Sequence, residues 1–385
     1  MTRDTSMVPL GRIDQPGWFR PIGAGGRALL DTLLKEGGAT QASLPGRLDL
    51  SQPSIARLVN GFVAEGIVTS TSRAPTGRGN PSVLLHLSAD FAYGIGASLV
   101  GDALSMALVD LAGAVRGTRR VALEDRSRAA IVAHIRCERD DLVAAAGIDS
   151  TRLVGAGVGF GGFLVDGPLR FNPPAVLADW VDADVPAIMG DAFGLPVLCD
   201  NDATTAAIAE SLLGVGRTSP TFAFCHLTNG FGGGLIVDGR PMRGALGNAG
   251  DFGGVWWLLD QGYPNLERLR VHLAKGGDPF ASVEAMLEGI TRGMPGIEGW
   301  LAEAERPFAS LAFLLGHMVS PETVVIGGRL PGWLAERLAA RITLPASPPR
   351  NDQPFRLPKI VARQVDGDAA AIGAALMPLQ ALFFA

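Results

Sequence analysis

Leu198-Cys199-Asp200-Asn201-Asp202-Ala203-Thr204-Thr205-Ala206-Ala207 is the stretch on which the reading of this chain turns. The apolar run at 195–198 predicts a short buried strand, and the Ala-rich run at 203–213 predicts a helix. Asn201 and Asp202 then stand at a strand-to-helix corner. There they can cap the helix, or they can aim an amide and a carboxylate into the crevice at the strand's carboxyl end, where open α/β sheets bind ligands.

At 385 residues the chain is long enough for two or three domains, each with a real core. Apolar residues make up 47% and charged ones 18%, a globular composition rather than a disordered one. No apolar run approaches the ~20 residues of a membrane helix, and the amino terminus lacks a signal-peptide apolar core, so the expectation is a cytoplasmic protein with no membrane contact. Cys137, Cys199 and Cys225 lie far apart, and the five histidines form no metal-binding spacing, so neither a disulfide framework nor a metal site is expected. Charge is uneven. Residues 1–88 carry nine basic against six acidic side chains, and the remainder carries 24 against 32, which fits a small module meeting phosphate backbone joined to an acidic body.

Residues 1–24, with Pro9, Pro16 and Pro21, predict a flexible arm. Leu29, Leu30, Leu33 and Leu34 recur at helical spacing until Gly37-Gly38; a second short helix is expected over 41–47. Ser51 stands as N-cap of a third helix with Pro53 in its first turn and Ile55, Leu58, Val59 and Phe62 as its apolar stripe. Two strands follow around an Arg-bearing turn at 70–80. The order resembles a winged helix-turn-helix at 25–88. Its third helix would show Ser51, Gln52, Ser54 and Arg57 to base edges and phosphates, while Arg73 and Arg78 sit on the wing, Arg78 between glycines that allow close approach to a minor groove. A helical module serving protein contacts is the alternative.

Beyond residue 89 a strand-rich segment followed by helices occurs twice, which predicts two α/β lobes with a cleft between them. Glycine-rich turns follow strands at 159–162, 229–234, 247–254 and 327–328. Such turns let a ligand approach the backbone.

Four segments in order, Leu195-Pro-Val-Leu-Cys-Asp-Asn201-Asp202-Ala-Thr, Leu227-Thr-Asn-Gly-Phe-Gly-Gly-Gly-Leu-Ile-Val-Asp-Gly239, Arg243-Gly-Ala-Leu-Gly-Asn-Ala-Gly-Asp251-Phe-Gly253 and Val325-Ile-Gly-Gly328, resemble the ROK family of sugar kinases and sugar-responsive repressors, those for xylose and N-acetylglucosamine among them. With the winged helix-turn-helix, the resemblance runs from about residue 26 to 377. It implies an α/β, actin-like ATPase (sugar-kinase-type) body over 89–385, with one lobe at about 89–200 plus the carboxy-terminal helix and the other at about 201–367. It further implies that Asp202 matches the kinases' catalytic base and Asn201 a sugar-hydroxyl ligand. Asp251 stands for a family Glu, Glu267 for a second sugar-binding Glu, and Gly161, Gly162 and Asn172 for sugar-facing turns.

Two departures weigh against a kinase. The family's Asp-x-Gly-Gly-Thr hairpin for Mg-ATP reads Gly96-Ala97-Ser98-Leu99-Val100 here, and positioning with electrostatic stabilisation is most of phosphoryl transfer. The family's zinc-binding His is Gly254, with no cysteine over 255–266, so neither zinc nor ATP is expected as a cofactor. Trp256 and Trp257 could stack on a sugar ring or fill the space of the missing zinc module. The helix at 307–317 and the tail at 379–384 could meet a second subunit or fill the core, and core is preferred. The expectation is a regulator, a repressor of carbohydrate genes, partnered by double-stranded operator DNA and a sugar or sugar-like effector, and assembled as a homodimer or homotetramer. The alternatives are a sugar kinase with residual activity and a DNA-binding regulator that no longer responds to ligand.

Overall fold

The structure, a computed structural model, describes residues 10–14, 16–73, 82–100, 102–165, 171–256, 264–346, 353 and 355–385. Arg78 and Trp257 lie outside the described residues. The amino-terminal part comprises strand β1 (Leu10–Gly11), helix α1 (Ala24–Glu36), β2 (Ala39–Thr40), a 3-10 segment (Gln41–Gly46), α2 (Gln52–Glu65), β3 (Val68–Arg73) and β4 (Ser82–Leu87). The leucines of α1 bury against Ile55, Val59 and Phe62 of α2. The Ser51 hydroxyl accepts the Ser54 N–H, closing the first turn of α2. The helix expected over 41–47 is a 3-10 segment instead. Pro45 within it has no N–H to donate, so an α ladder cannot run through.

Within the expected flexible arm, the described residues are docked instead. Leu10 and Gly11 pair antiparallel with Cys199 and Leu198, adding an edge strand to the main sheet. Phe19 stacks on Phe383 at 4.9 Å, and Trp18 meets Phe91 edge-on at 5.4 Å with Arg152 over its ring. These ring contacts, with Phe19 partly buried and Trp18 still exposed, offset part of the chain entropy lost on docking.

The first lobe carries β5 (Tyr93–Val100), β6 (Ala103–Asp110), β7 (Val115–Ala122), α3 (Arg128–Ala146), β8 (Leu153–Phe160), the short pair β9 (Phe163–Leu164) and β10 (Phe171–Asn172), α4 (Val185–Phe193) and β11 (Val197–Asn201). Its sheet has the order β1-β11-β8-β5-β6-β7, with β8 parallel to both β5 and β11. Next come α5 (Asp202–Leu213), β12 (Phe222–Leu227), β13 (Phe231–Val237), β14 (Arg240–Pro241), α6 (Leu266–Lys275), α7 (Val283–Gly289), α8 (Gly296–Met318), β15 (Thr323–Gly328), α9 (Gly332–Arg341), β16 (Lys359–Ala362) and α10 (Ala369–Phe383). The second sheet has the order β14-β13-β12-β15-β16.

Helices α5 and α10 lie against each other between the sheets, and every residue of α5 from Ala203 to Leu212 is buried. That explains their composition: small residues let two helices approach closely. At Gly373 of α10 a β-carbon would stand 1.7 Å from the Thr205 carbonyl oxygen of α5, so only glycine fits. Leu379, Phe383 and Phe384 are fully buried, as are Phe308 and Leu311 of α8; both segments fill core within the chain.

Candidate functional site

The parallel strands β8 and β11 end side by side, and the turn after β8 and the start of α5 open onto one cleft of about 550 Å³ between the lobes. Asn201, Asp202, Asp251, Gly161, Gly162 and Asn172 all line it. Glu267 does not. It stands in the first turn of α6, where the Arg270 guanidinium holds it at 3.0 Å and keeps its carboxyl below the ordinary range, because an i,i+3 partner is nearer than any cleft group.

Within the cleft, Asn201 is committed to the fold. Its Oδ1 accepts the N–H groups of Ala203 (2.9 Å) and Thr204 (3.3 Å), and its Nδ2 donates to the Gly162 carbonyl at 2.7 Å. It caps α5 and ties the corner to the neighbouring turn, where Gly162 has φ +120, a conformation that side chains disfavour. Asp202 is the freer of the two. Its Oδ1 accepts the Ala203 N–H at 3.0 Å, while its Oδ2 lies 3.8 Å from the Nε2 of His226 in β12. Burial pushes the Asp202 carboxyl up, against a smaller downward pull from His226, and burial pushes the His226 imidazole down. Neither ring nitrogen of His226 has a hydrogen-bond partner among the described residues. Each such unpaired buried group costs about 1–3 kcal/mol.

Sequence reading missed His226, although a histidine inside the apolar run Phe224-Cys225-His226-Leu227 was itself a signal. It also missed Phe163, which lines the cleft and is 44% exposed. Trp256 instead packs edge-on to Phe231 and Phe308 in the second-lobe core. Below the corner, Arg243 donates through Nε to the Asp200 carboxylate at 2.9 Å, a buried ion pair holding the 243–250 loop against β11. Removing one member of such a pair costs about 3–5 kcal/mol. Asn248 exchanges bonds of 2.7 and 2.8 Å with the Leu164 backbone and brings Asp251 to the rim, where its carboxylate accepts the Gly253 N–H. Among the described residues no group of three or more His, Cys, Asp or Glu could hold a metal ion, and no helix is long and apolar enough to cross a membrane.

Residues 95–259 match the model of the ROK family. The chain carries a ROK family domain. Over 361 residues it is 28% identical to the uncharacterized protein y4fQ of Sinorhizobium fredii, covering 93% of this chain and 91% of that one. It is 24% identical over 232 residues to the xylose repressor of Bacillus spizizenii, 59% of each chain, and 33% identical over 221 residues to the bifunctional enzyme NanE/NanK of Brucella suis, 52% of this chain and 38% of that one. It therefore spans less than two thirds of that repressor and well under half of that bifunctional enzyme. Among solved structures, a ROK family transcriptional regulator described as a homolog of the E. coli MLC protein matches with TM-score 0.59 at 20% identity, covering 93% of this chain and 96% of that one. A ROK family glucokinase from Streptomyces griseus, in complex with glucose and AMPPNP, matches with TM-score 0.57 at 24% identity, covering 74% and 98%. The body of this chain has the actin-like, sugar-kinase-type fold, and the proteins similar to it include both regulators and kinases.

Proposed function

We propose that this chain is a ROK transcriptional regulator, a repressor of carbohydrate genes, whose cleft binds a sugar or sugar-like effector and thereby biases an amino-terminal DNA-reading head. The observation that carries the reading is the pairing, in one chain, of an actin-like body with a helix whose outer face is polar over its amino-terminal half. Ser51, Gln52 and Arg57 are exposed on α2 while Ile55, Val59 and Phe62 are buried beneath them. In this reading α2 lies in a major groove and the β3–β4 hairpin, ending at Arg73 before the segment containing Arg78, flanks it. The head would extend over 25–88 and the two-lobe body over 89–385, with a second copy supplying the paired half-site. Relatives that are repressors support this reading.

Asp202 would take the central hydrogen bond to the effector, with Asn172 and Asp251 at the rim and Phe163 against the ring face. In the cleft wall, Leu99 and Val100 present apolar side chains where the kinases' phosphate hairpin has a glycine and a threonine, and Gly96 stands in place of its carboxylate, which supports binding without phosphoryl transfer. A kinase remains the second reading because Asp202 is retained, largely buried and beside His226. Thermal unfolding against sugars with and without Mg-ATP, followed by operator binding with the best sugar, separates the two. A ligand at about 100 times its Kd adds roughly 2.7 kcal/mol. A sugar shift that needs no Mg-ATP and releases or tightens DNA supports the regulator; ATP turnover overturns it.

A further inference from the structure

Past Asp202, the cleft runs on toward the β5–β6 and β12–β13 turns. Three side chains there carry buried polar atoms with no partner among the described residues: Asp102 Oδ1, Arg126 Nε and Asn229 Oδ1. They come from separate places in the chain, the β5–β6 turn, the link before α3 and the turn after β12, so their convergence is made by both lobes together. Folded proteins seldom leave such groups unmet, and three such side chains, each partly buried and all lining one cavity, mark a binding point.

Their chemistry narrows the ligand. A phosphate or carboxylate offers only acceptors, which would satisfy Arg126 and oppose Asp102. Among the described lining residues, Asp102, Asp202 and Asp251 set three carboxylates against the single guanidinium of Arg126, so the cleft is a poor place for an anion. Hydroxyl groups both donate and accept: they can give hydrogen to Asp102, receive it from Arg126, and meet the Asn229 amide in either orientation.

We infer that the cleft is a two-subsite saccharide site, in which one ring sits at Asp202 and Phe163 and a second hydroxyl-bearing unit sits at Asp102, Arg126 and Asn229. The effector is then a disaccharide or glycoside rather than a free monosaccharide or a sugar phosphate. This rests on the reading of the cleft as a sugar site.

The test is calorimetric titration of the full chain with glucose, galactose and xylose, with maltose, cellobiose, lactose and sucrose, and with glucose 6-phosphate. At least one disaccharide binds about tenfold or more tighter than its component monosaccharides. Arg126→Gln and the isosteric Asp102→Asn each erase that advantage and leave monosaccharide affinity within about twofold, whereas Asp202→Asn weakens both. Disaccharides no better than monosaccharides, glucose 6-phosphate as the tightest probe, or variants that keep the discrimination would each overturn the second subsite while leaving the sugar cleft standing. If none of the sugars binds, the sugar reading of the cleft falls too.

Discussion

Asp202 shows how a carboxylate is kept ready at some cost to the fold. Its ionised form is disfavoured by burial, and His226 at 3.8 Å is too far to complete a hydrogen bond. A carboxyl whose folded pKa is raised contributes its stability below the unfolded value and loses it as pH rises through the folded value. The isosteric Asp202→Asn variant should therefore melt above the wild type at neutral pH, by an amount on the order of 1 kcal/mol, with the gap closing as pH falls through the ordinary carboxylate range. Its sugar-induced melting shift should vanish. A variant less stable than wild type at pH 7, or one that keeps the sugar shift, would show that Asp202 serves the fold and that recognition lies elsewhere. Asn201, one residue earlier, has the opposite character, with both ends of its amide spent on backbone. Adjacent polar residues that looked equivalent in sequence thus divide into a cap and a free carboxylate.

At the level of elements, two helices make separable predictions. Arg57 is exposed on α2 and forms no hydrogen bond or ion pair among the described contacts, so Arg57→Ala should leave melting and sugar binding unchanged and weaken operator binding about tenfold. Unaltered operator affinity in a fluorescence-anisotropy titration would remove α2 from the DNA interface. Gly373 on α10 tests the packing instead. An added methyl collides with backbone of α5, and Gly373→Ala should destabilise by about 1–3 kcal/mol or more. An unchanged melting temperature would mean that α5 and α10 do not meet at this distance. The element boundaries in the body were largely legible, because alternating or continuous apolar runs bounded by glycine mark strands such as β5, β6 and β8. The 41–46 segment and the docked arm were not, since one is decided by a single missing N–H and the other by partners more than 180 residues away.

For the whole molecule, the amino-terminal part and the body share one core. Arg27 of α1 donates to the carbonyls of Phe384, Gln380 and Ala381 at 2.7–2.9 Å, closing the carboxyl end of α10 where the helix dipole favours a cation. At its other end, Asp368 caps α10 beside Arg120, which reaches across to Glu284 of the second lobe at 2.8 Å. One helix thus touches the interlobe contact and the amino-terminal part, and α5, which begins at Asp202, lies along it. Arg27→Ala should keep sugar binding and operator binding and lose most of the effect of one on the other, read as the ratio of operator affinities with and without sugar. A wild-type ratio in the variant would place the coupling elsewhere.

The sequence by itself determined the two-lobe α/β body, the strand-to-helix corner at Asn201-Asp202 and the glycine turns around it, because those depend on local periodicity and on residues adjacent in the chain. It also named six of the residues that line the cleft, Asn201, Asp202, Asp251, Gly161, Gly162 and Asn172. Only the tertiary structure decided that Asn201 is occupied with capping, that Glu267 pairs with Arg270 away from the cleft, and that Trp256 belongs to the core. It alone set His226 behind Asp202 and brought Phe163, Asp102 and Arg126 to the cavity beside the 229–234 turn. The reason is physical: a side chain's role follows from which atoms reach it first and how much water they exclude, and those atoms come from strands and turns far apart in the chain.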